Sequence, residues 1–218
     1  MSRPLFSRWA RLLRSAAALT LGERGPNAAA PAADELGHRR PVDGPFLAWR
    51  TRTPPPPVSH SNDADAEIWT ALAAGSPIPQ VLEAALAQRT PAPLTPPIDP
   101  ASPDMTLEVW TERELALLHG AWRLAQLRAR ADLADRCLLA ADWHVEHMQP
   151  DNATNRPWAL PVFVAAAAAR ISAEHELYAQ MLLHNCQIMY GRPDLVSAHI
   201  LLDSAESLED HAGIVRTA

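Results

Sequence analysis

Between residues 104 and 208, apolar side chains recur at intervals of three and four, which is the pattern of amphipathic helices. The clearest example runs from Ala131 to about Met148, where Asp135, Asp142 and Glu146 share the polar side. The opposite, inward arc of a helical wheel holds Leu133, Ala134, Cys137, Leu138, Ala140, Ala141, Val145 and Met148. Leu139 and Trp143 form a second small apolar patch, so the pattern predicts a helix with neighbours on two sides.

This helix pattern recurs further along the chain. At a shift of 44 residues, Leu138-Leu139 falls on Leu182-Leu183 and Asp132-Leu133 falls on Glu176-Leu177. A period of this size that contains two helical patterns is typical of helical hairpins stacked on one another. The sequence therefore predicts an all-α fold of stacked antiparallel helical hairpins, with two such repeats, a terminal helix and a long Pro-rich, mostly irregular N-terminal arm.

Local signals predict where these helices begin and end. Thr111 and Glu114 have the spacing of a capping box and predict a helix start at Thr111. A third helix is expected over residues 157–171. Ser172 is expected to cap a fourth helix that ends at Gly191, and Asp194 to cap the last one.

The first 21 residues hold Arg3, Arg8, Arg11 and Arg14 and no acid. On a helix, one side carries Leu5, Trp9, Leu12, Leu13, Ala16 and Leu19, and the arginines spread along the other. Such a basic amphipathic helix is typical of peripheral membrane contact. A targeting segment, a frayed tail and a helix docked on the protein body are the alternatives.

The arm that follows is rich in proline. Within it, residues 45–49 could form a docking strand or peptide, and Pro54–Pro57 predicts a stiff polyproline spacer or a ligand for aromatic grooves. Asn62 or Asp63 and Gly75 delimit a short helix, and Ser76-Pro77 starts a second one. The predicted organisation is a helix or tail at 1–21, an irregular arm at 22–61, a short hairpin at 62–89, a linker at 90–103, the helical-hairpin domain at 104–208 and a tail at 209–218.

The charge and the cysteine content indicate which partners and which compartment to expect. The net charge is −6, and residues 105–218 carry nine Arg against fifteen acids, which argues against nucleic acid as a partner. Cys137 and Cys186 lack metal-site spacing and are expected to be buried thiols in a reducing compartment. No run is long enough to span a membrane. We therefore expect a cytoplasmic protein, peripheral to a membrane if the first helix touches lipid.

Three histidines are candidate metal ligands. His144 and His147 stand three residues apart, His144 lies in the middle of the inward arc, and His184 aligns with an inward position of the second repeat. The alternative is a hydrogen-bonded core histidine, because no HExxH or CxxC spacing accompanies them. We expect no cofactor.

The 149–158 loop is the candidate ligand site. Asp151, Asn152, Asn155, Arg156 and Trp158 supply a carboxylate, amides, a guanidinium group and an indole at one helix junction. The alternative is helix capping, which uses the same residue types, with Arg156 paired to Asp151.

Two functions fit these features. The first is a non-enzymatic helical-repeat interaction or scaffold protein that binds a protein partner, because no nucleophile elbow or phosphate-binding glycine loop is present. The second is an enzyme or small-ligand protein with a polar site at the 149–158 loop, where the ligand is a carbohydrate or a metal ion.

Overall fold

The computed structural model describes residues 2–24, 40–55, 63–77, 79–96, 106–148, 156–188 and 191–214. Within these ranges the chain is helical and has no strand, which confirms the all-α class. The helices are α1 (Ser2–Arg24), α2 (Asp43–Thr51), α3 (Ala64–Ala74), α4 (Gln80–Ala85), α5 (Leu107–Leu127), α6 (Ala131–His147), α7 (Leu160–Arg170), α8 (Ala173–Asn185) and α9 (Leu195–Ile214).

Three helices, α5, α7 and α9, contact one another pairwise at the centre. Around them, α6 packs on α5 and α7, α8 packs on α7 and α6, and α1 packs on α9 and α7. The short helices α2 and α3 pack on each other. In addition, α2 packs on α9 and α3 packs on α5. Within the described ranges, buried side chains from every helix therefore join one hydrophobic core.

Helix α1 is docked on the body of the protein. Phe6, Trp9 and Leu13 are at most 2% exposed, and the helix lies along α9. Most of the apolar side that predicted lipid contact is therefore used in the fold, as the docked alternative requires. Leu12 and Leu19 remain about half exposed, at 46% and 51%. Within the described residues, no helix combines the length and the apolar character that crossing a bilayer requires.

Residues 45–49 form part of helix α2, so the expectation of a strand here is wrong, and the arm predicted to be mostly irregular over 22–61 contains this helix. Phe46 is fully buried and meets Trp69 and Trp158 edge to face at centroid distances of 4.9 and 5.0 Å. Pro45 lies in the first turn of α2, where its missing N–H costs no hydrogen bond. Burial of Phe46 in the hydrophobic core stabilises this helix.

The predicted start of α5 is also wrong. The helix begins at Leu107, and the Thr106 side chain accepts the cap hydrogen bond from Val109 N. Thr111 and Glu114 lie inside the helix and are fully buried. Glu114 instead accepts hydrogen bonds from the backbone N–H groups of Leu94 and Thr95, so it holds the preceding loop against the helix.

Other boundaries differ by a few residues. Helix α7 begins at Leu160 rather than Pro157, and α8 ends at Asn185 rather than Gly191. Helix α4 begins at Gln80 rather than at Ser76-Pro77, and α9 continues to Ile214 through the predicted tail. Two end signals are confirmed: Gly75 closes α3 with φ 66°, and Asp194 accepts a hydrogen bond from Ser197 N at the start of α9.

Candidate functional site

The 149–158 loop is only partly visible. Asp151, Asn152 and Asn155 lie outside the described residues. Arg156 and Trp158 are described, and both are buried, at 1% and 0% exposure.

Arg156 lies at the centre of a buried ionic network. Its Nη2 donates to Asp43 Oδ2 at 2.9 Å, and its Nη1 donates to Asp194 Oδ1 at 3.2 Å. Its Nε also lies 3.9 Å from Glu112 Oε1, which Arg40 contacts at 2.5 Å. Burial raises the pKa of Glu112. These partners come from α2, α5 and the start of α9, so the guanidinium group joins three elements of the fold.

Trp158 belongs to an aromatic cluster. Its ring centroid lies 5.0 Å from Phe46, 5.9 Å from Trp69 and 5.7 Å from His119. The indole is therefore enclosed by side chains of the protein, and it serves the core rather than an exposed stacking surface.

The three candidate metal ligands do not converge. His144 is fully buried, as predicted, whereas His147 is exposed and stacks on Trp143 at 4.9 Å. His184 is exposed, so the prediction that it points inward is wrong. Among the residues that the structure describes, no group of three or more His, Cys, Asp and Glu side chains could hold a metal ion.

His144 lies among aromatic side chains of the core. Neither ring nitrogen has a hydrogen-bond partner in the described structure, and Glu114 Oε1 is 4.0 Å from Nε2. The Phe163 and Tyr178 rings lie within 6.4 Å of its centroid. Burial lowers the pKa of His144 to about 3, because a charged imidazolium would lose its hydration there. His144 is therefore neutral at physiological pH.

Ser172, His175 and Asp142 form a hydrogen-bonded chain where α8 begins. Ser172 Oγ lies 2.9 Å from His175 Nδ1, and His175 Nε2 lies 3.0 Å from Asp142 Oδ1. Such a chain can activate a serine nucleophile. Here, however, the Ser172 hydroxyl donates to Glu174 at 2.7 Å and Arg170 already binds Asp142. The hydroxyl proton therefore points away from the histidine, and the chain fits a helix-start network rather than a nucleophile site.

A cleft of about 770 Å³ lies between α2, α3, α5 and α9. Its lining includes Trp49, Arg50, Arg52, Arg123, Leu127 and Glu206. This volume lies within the range of small-molecule sites, and the lining combines apolar walls with several charged groups.

A layer of ion pairs forms one side of the cleft. Asp203, which is fully buried, lies 3.4 Å from Arg50 Nη1 and 3.3 Å from Arg123 Nε. Arg50 also donates to both oxygens of Glu206, at 2.6 and 3.1 Å, and Arg123 donates to Asp210 at 3.2 Å. Both guanidinium groups lie near the Trp49 ring, at 5.7 and 5.4 Å from its centroid.

His119 and Asp203 form a hydrogen bond beneath this layer, with 3.0 Å between Nε2 and Oδ2. Burial alone would raise the pKa of Asp203, but Arg123, His119 and Arg50 together hold it below the usual range. Asp203 is therefore an anion that accepts, so His119 Nε2 carries the proton. Burial lowers the pKa of His119, which keeps the imidazole neutral.

The outward side of α8 is unusually apolar for a helix at the surface. Leu177 is 54% exposed, and Ile188, in the turn that follows the helix, is 60% exposed. Met181 and His184 lie between them at helical spacing, half-buried and exposed, respectively. Just before the helix, Ile171 is 85% exposed. We call these five residues the α8 face.

Comparisons with known proteins give no relative: no family model, no curated protein and no solved structure matches the chain.

Sequence reasoning missed the cleft because its charged residues are far apart in the chain. Arg50 belongs to the arm, Arg123 to α5 and Glu206 to α9, and none stands in a local motif. The α8 face has a signal in the sequence. Leu177, Met181, His184 and Ile188 form a second, mostly apolar stripe opposite Tyr178, Leu182 and other buried residues.

Proposed function

We propose that this chain is a non-enzymatic interaction protein, and that the α8 face binds an apolar helix face of a partner protein. The observation that carries the proposal is the exposure of Leu177 on α8 and of Ile171 and Ile188 in the turns that flank this helix. A surface helix of a globular protein normally presents polar residues to solvent, and contiguous exposed apolar surface marks an interaction site.

The charges on α8 support a protein partner. Among the exposed residues from Ala173 to Asn185, Glu174 is the one Asp, Glu, Lys or Arg. The exposed residues of α8 therefore lack the Lys and Arg on which binding to a phosphate backbone or to anionic lipid headgroups depends. It does offer the aliphatic anchors that a helix-to-helix interface buries.

The position of α8 in the stack supports the same proposal. The order of contacts α5–α6, α6–α7 and α7–α8 is compatible with the stacked hairpins that the sequence repeat predicts. In such a stack, a terminal helix needs a polar outer face unless something covers it. At the end of this order, α8 exposes Leu177, whereas the inner helix α6 exposes Asp132, Asp135 and Glu146.

The test compares two pairs of exposed aliphatic residues. Leu177→Asp with Ile188→Asp changes the α8 face, and Leu12→Asp with Leu19→Asp changes the similarly exposed pair on α1. Tagged wild type and both variants would be recovered from their native cells, and each co-purifying protein quantified and then retested as a purified pair.

The proposal requires a partner that binds wild type and the α1 variant equally and is lost with the α8 variant. Equal binding by all three proteins would contradict it. Loss only in the α1 variant, together with loss of membrane association, would support instead the peripheral membrane contact predicted for α1.

A small ligand at the 149–158 loop stays a prediction. Arg156 and Trp158 are both committed to the fold, and the other three residues lie outside the described structure. These two placements favour the interaction function over a polar ligand site at this loop.

A further inference from the structure

We infer that the cleft between α2, α3, α5 and α9 is a binding site for a small organic anion, in which a carboxylate or phosphate group is attached to a planar apolar ring. This site is separate from the α8 face and is built from different elements. The cleft volume of about 770 Å³ lies within the range of small-molecule binding sites.

The anion-binding part of the site consists of arginines that the buried Asp203 holds in position. Arg123 is 5% exposed and the Arg50 side chain 12% exposed, and Asp203 fixes both guanidinium groups from the core side. A guanidinium group that is already oriented loses little conformational freedom when it binds a carboxylate or phosphate. Arg52 adds a third cation at the edge of the cleft and is itself exposed.

The groups that now bind the outer donors of these arginines are carboxylates at the rim. Glu206 binds Arg50 through both oxygens, and its side chain is 35% exposed. Asp210 binds Arg123, and its side chain is 59% exposed. A ligand carboxylate or phosphate could replace Glu206 with the same geometry, while Glu206 turns into solvent. Arg50 therefore already binds one carboxylate in this position.

The ring-binding part of the site is apolar. Trp49 lies within 5.7 Å of both guanidinium groups, and Leu72, Ala73 and Leu127 line the wall. Leu127 is 58% exposed, which an incoming ring would reduce. An aromatic ring with an attached anion therefore matches both parts of the cleft, and an anion or a ring alone matches only one part.

The experiment titrates the full chain by calorimetry with four probes. Phenyl phosphate and benzoate carry both groups, inorganic phosphate carries only the anion, and benzyl alcohol carries only the ring. Expected is one-to-one binding of phenyl phosphate or benzoate, at least tenfold tighter than either single-group probe. The tighter of the two identifies the anion as phosphate or carboxylate.

Two variants should change the affinity for the ligand in opposite directions. Glu206→Gln removes the competing carboxylate and should tighten binding about threefold or more, whereas Arg52→Asn removes a cation and should weaken it about threefold. Arg52 has φ 56°, a conformation that Asn tolerates well, so this variant should keep its fold.

The matched controls are Glu209→Gln and Arg11→Asn. Glu209 lies on α9 like Glu206 but pairs with Arg14 on α1, and Arg11 is exposed on α1. Neither control should change the affinity. Absence of binding by all four probes to wild type and Glu206→Gln would overturn the inference, as would equal effects of Glu206→Gln and Glu209→Gln.

Discussion

Ile171 combines two unfavourable features in one residue. It is 85% exposed, and as the C-cap of α7 it has φ 54°, a left-handed conformation that β-branched residues rarely adopt. Glycine would be more stable at this position, so the isoleucine is costly to the isolated fold. A contact with a partner would account for it, because strained residues cluster at binding sites.

We therefore predict that Ile171→Gly stabilises the chain but weakens partner binding. The free energy of unfolding should rise by about 1 kcal/mol, because glycine adopts this conformation without strain. Urea denaturation measures the stability, and recovery of the partner measures the binding. Ala129→Gly is the control: Ala129 is also exposed with φ 49°, but lies outside the α8 face, so only stability should change. Unchanged partner recovery with Ile171→Gly would argue against a role in binding.

His144 makes stability depend on pH. Burial lowers its folded-state pKa to about 3, whereas an unfolded histidine has a pKa of about 6.5. Between these values the unfolded chain binds a proton that the folded chain does not. His144 therefore does not lower the free energy of unfolding by taking up a proton above about pH 6.5. Below that pH, the free energy of unfolding decreases by up to about 1.4 kcal/mol for each pH unit.

Replacing His144 with leucine should flatten that dependence. Unfolding free energies of wild type and His144→Leu would be measured between pH 7 and 4.5, and the stability of wild type relative to the variant should fall as the pH falls. His147→Leu, a change at an exposed neighbour, should leave the wild-type slope intact. Parallel curves for wild type and His144→Leu would show that the imidazole is not buried in its neutral form.

At the scale of the single helix, α5 shows why its start could not be read from sequence. Thr111 and Glu114 have the spacing of a capping box, and Thr106 has no comparable signature. The choice between them depends on Leu94 and Thr95, whose backbone N–H groups bind Glu114 from a distant part of the chain. Where the competing contacts are local, as at Gly75 and Asp194, the sequence signals were sufficient.

Two substitutions near the start of α5 test which threonine caps the helix. Thr106→Ala should lower the free energy of unfolding by about 1 kcal/mol, because the Val109 N–H loses its acceptor. Thr111→Val should be neutral or stabilising, since the Thr111 hydroxyl is buried with no hydrogen-bond partner among the described residues. Chemical denaturation of both variants tests this, and the reverse order of effects would restore Thr111 as the cap.

At the scale of the whole molecule, the fold depends on contacts between the two ends of the chain. Helix α1 packs along α9, and Phe6 meets the His211 ring at 5.2 Å. The amphipathic pattern of α1 was clear in the sequence, but the pattern is the same whether the apolar side meets lipid or protein. The all-α class could be predicted from periodicity, whereas the partner of α1 and the assembly of the cleft required three-dimensional packing.

Adjacent leucines in α1 test that packing. Leu13 is fully buried and Leu12 is 46% exposed. Leu13→Asp should destabilise the protein by roughly 3 kcal/mol or more, because it places a carboxylate in the α1–α9 interface. Leu12→Asp should change the stability by less than about 1 kcal/mol. Thermal or urea unfolding gives both values, and similar small effects would mean that α1 does not dock on the body.

The central claim, that the α8 face binds a partner protein, is tested most directly by photo-crosslinking in native cells. A photoreactive phenylalanine analogue would replace Leu177 in one strain and Asp135, an exposed residue of α6, in another. We predict one dominant adduct with a different protein from position 177, absent from position 135 and lost when Ile188→Asp is added. No adduct at 177, the same adducts at both positions, or an adduct only with a second copy of this chain would contradict the proposal.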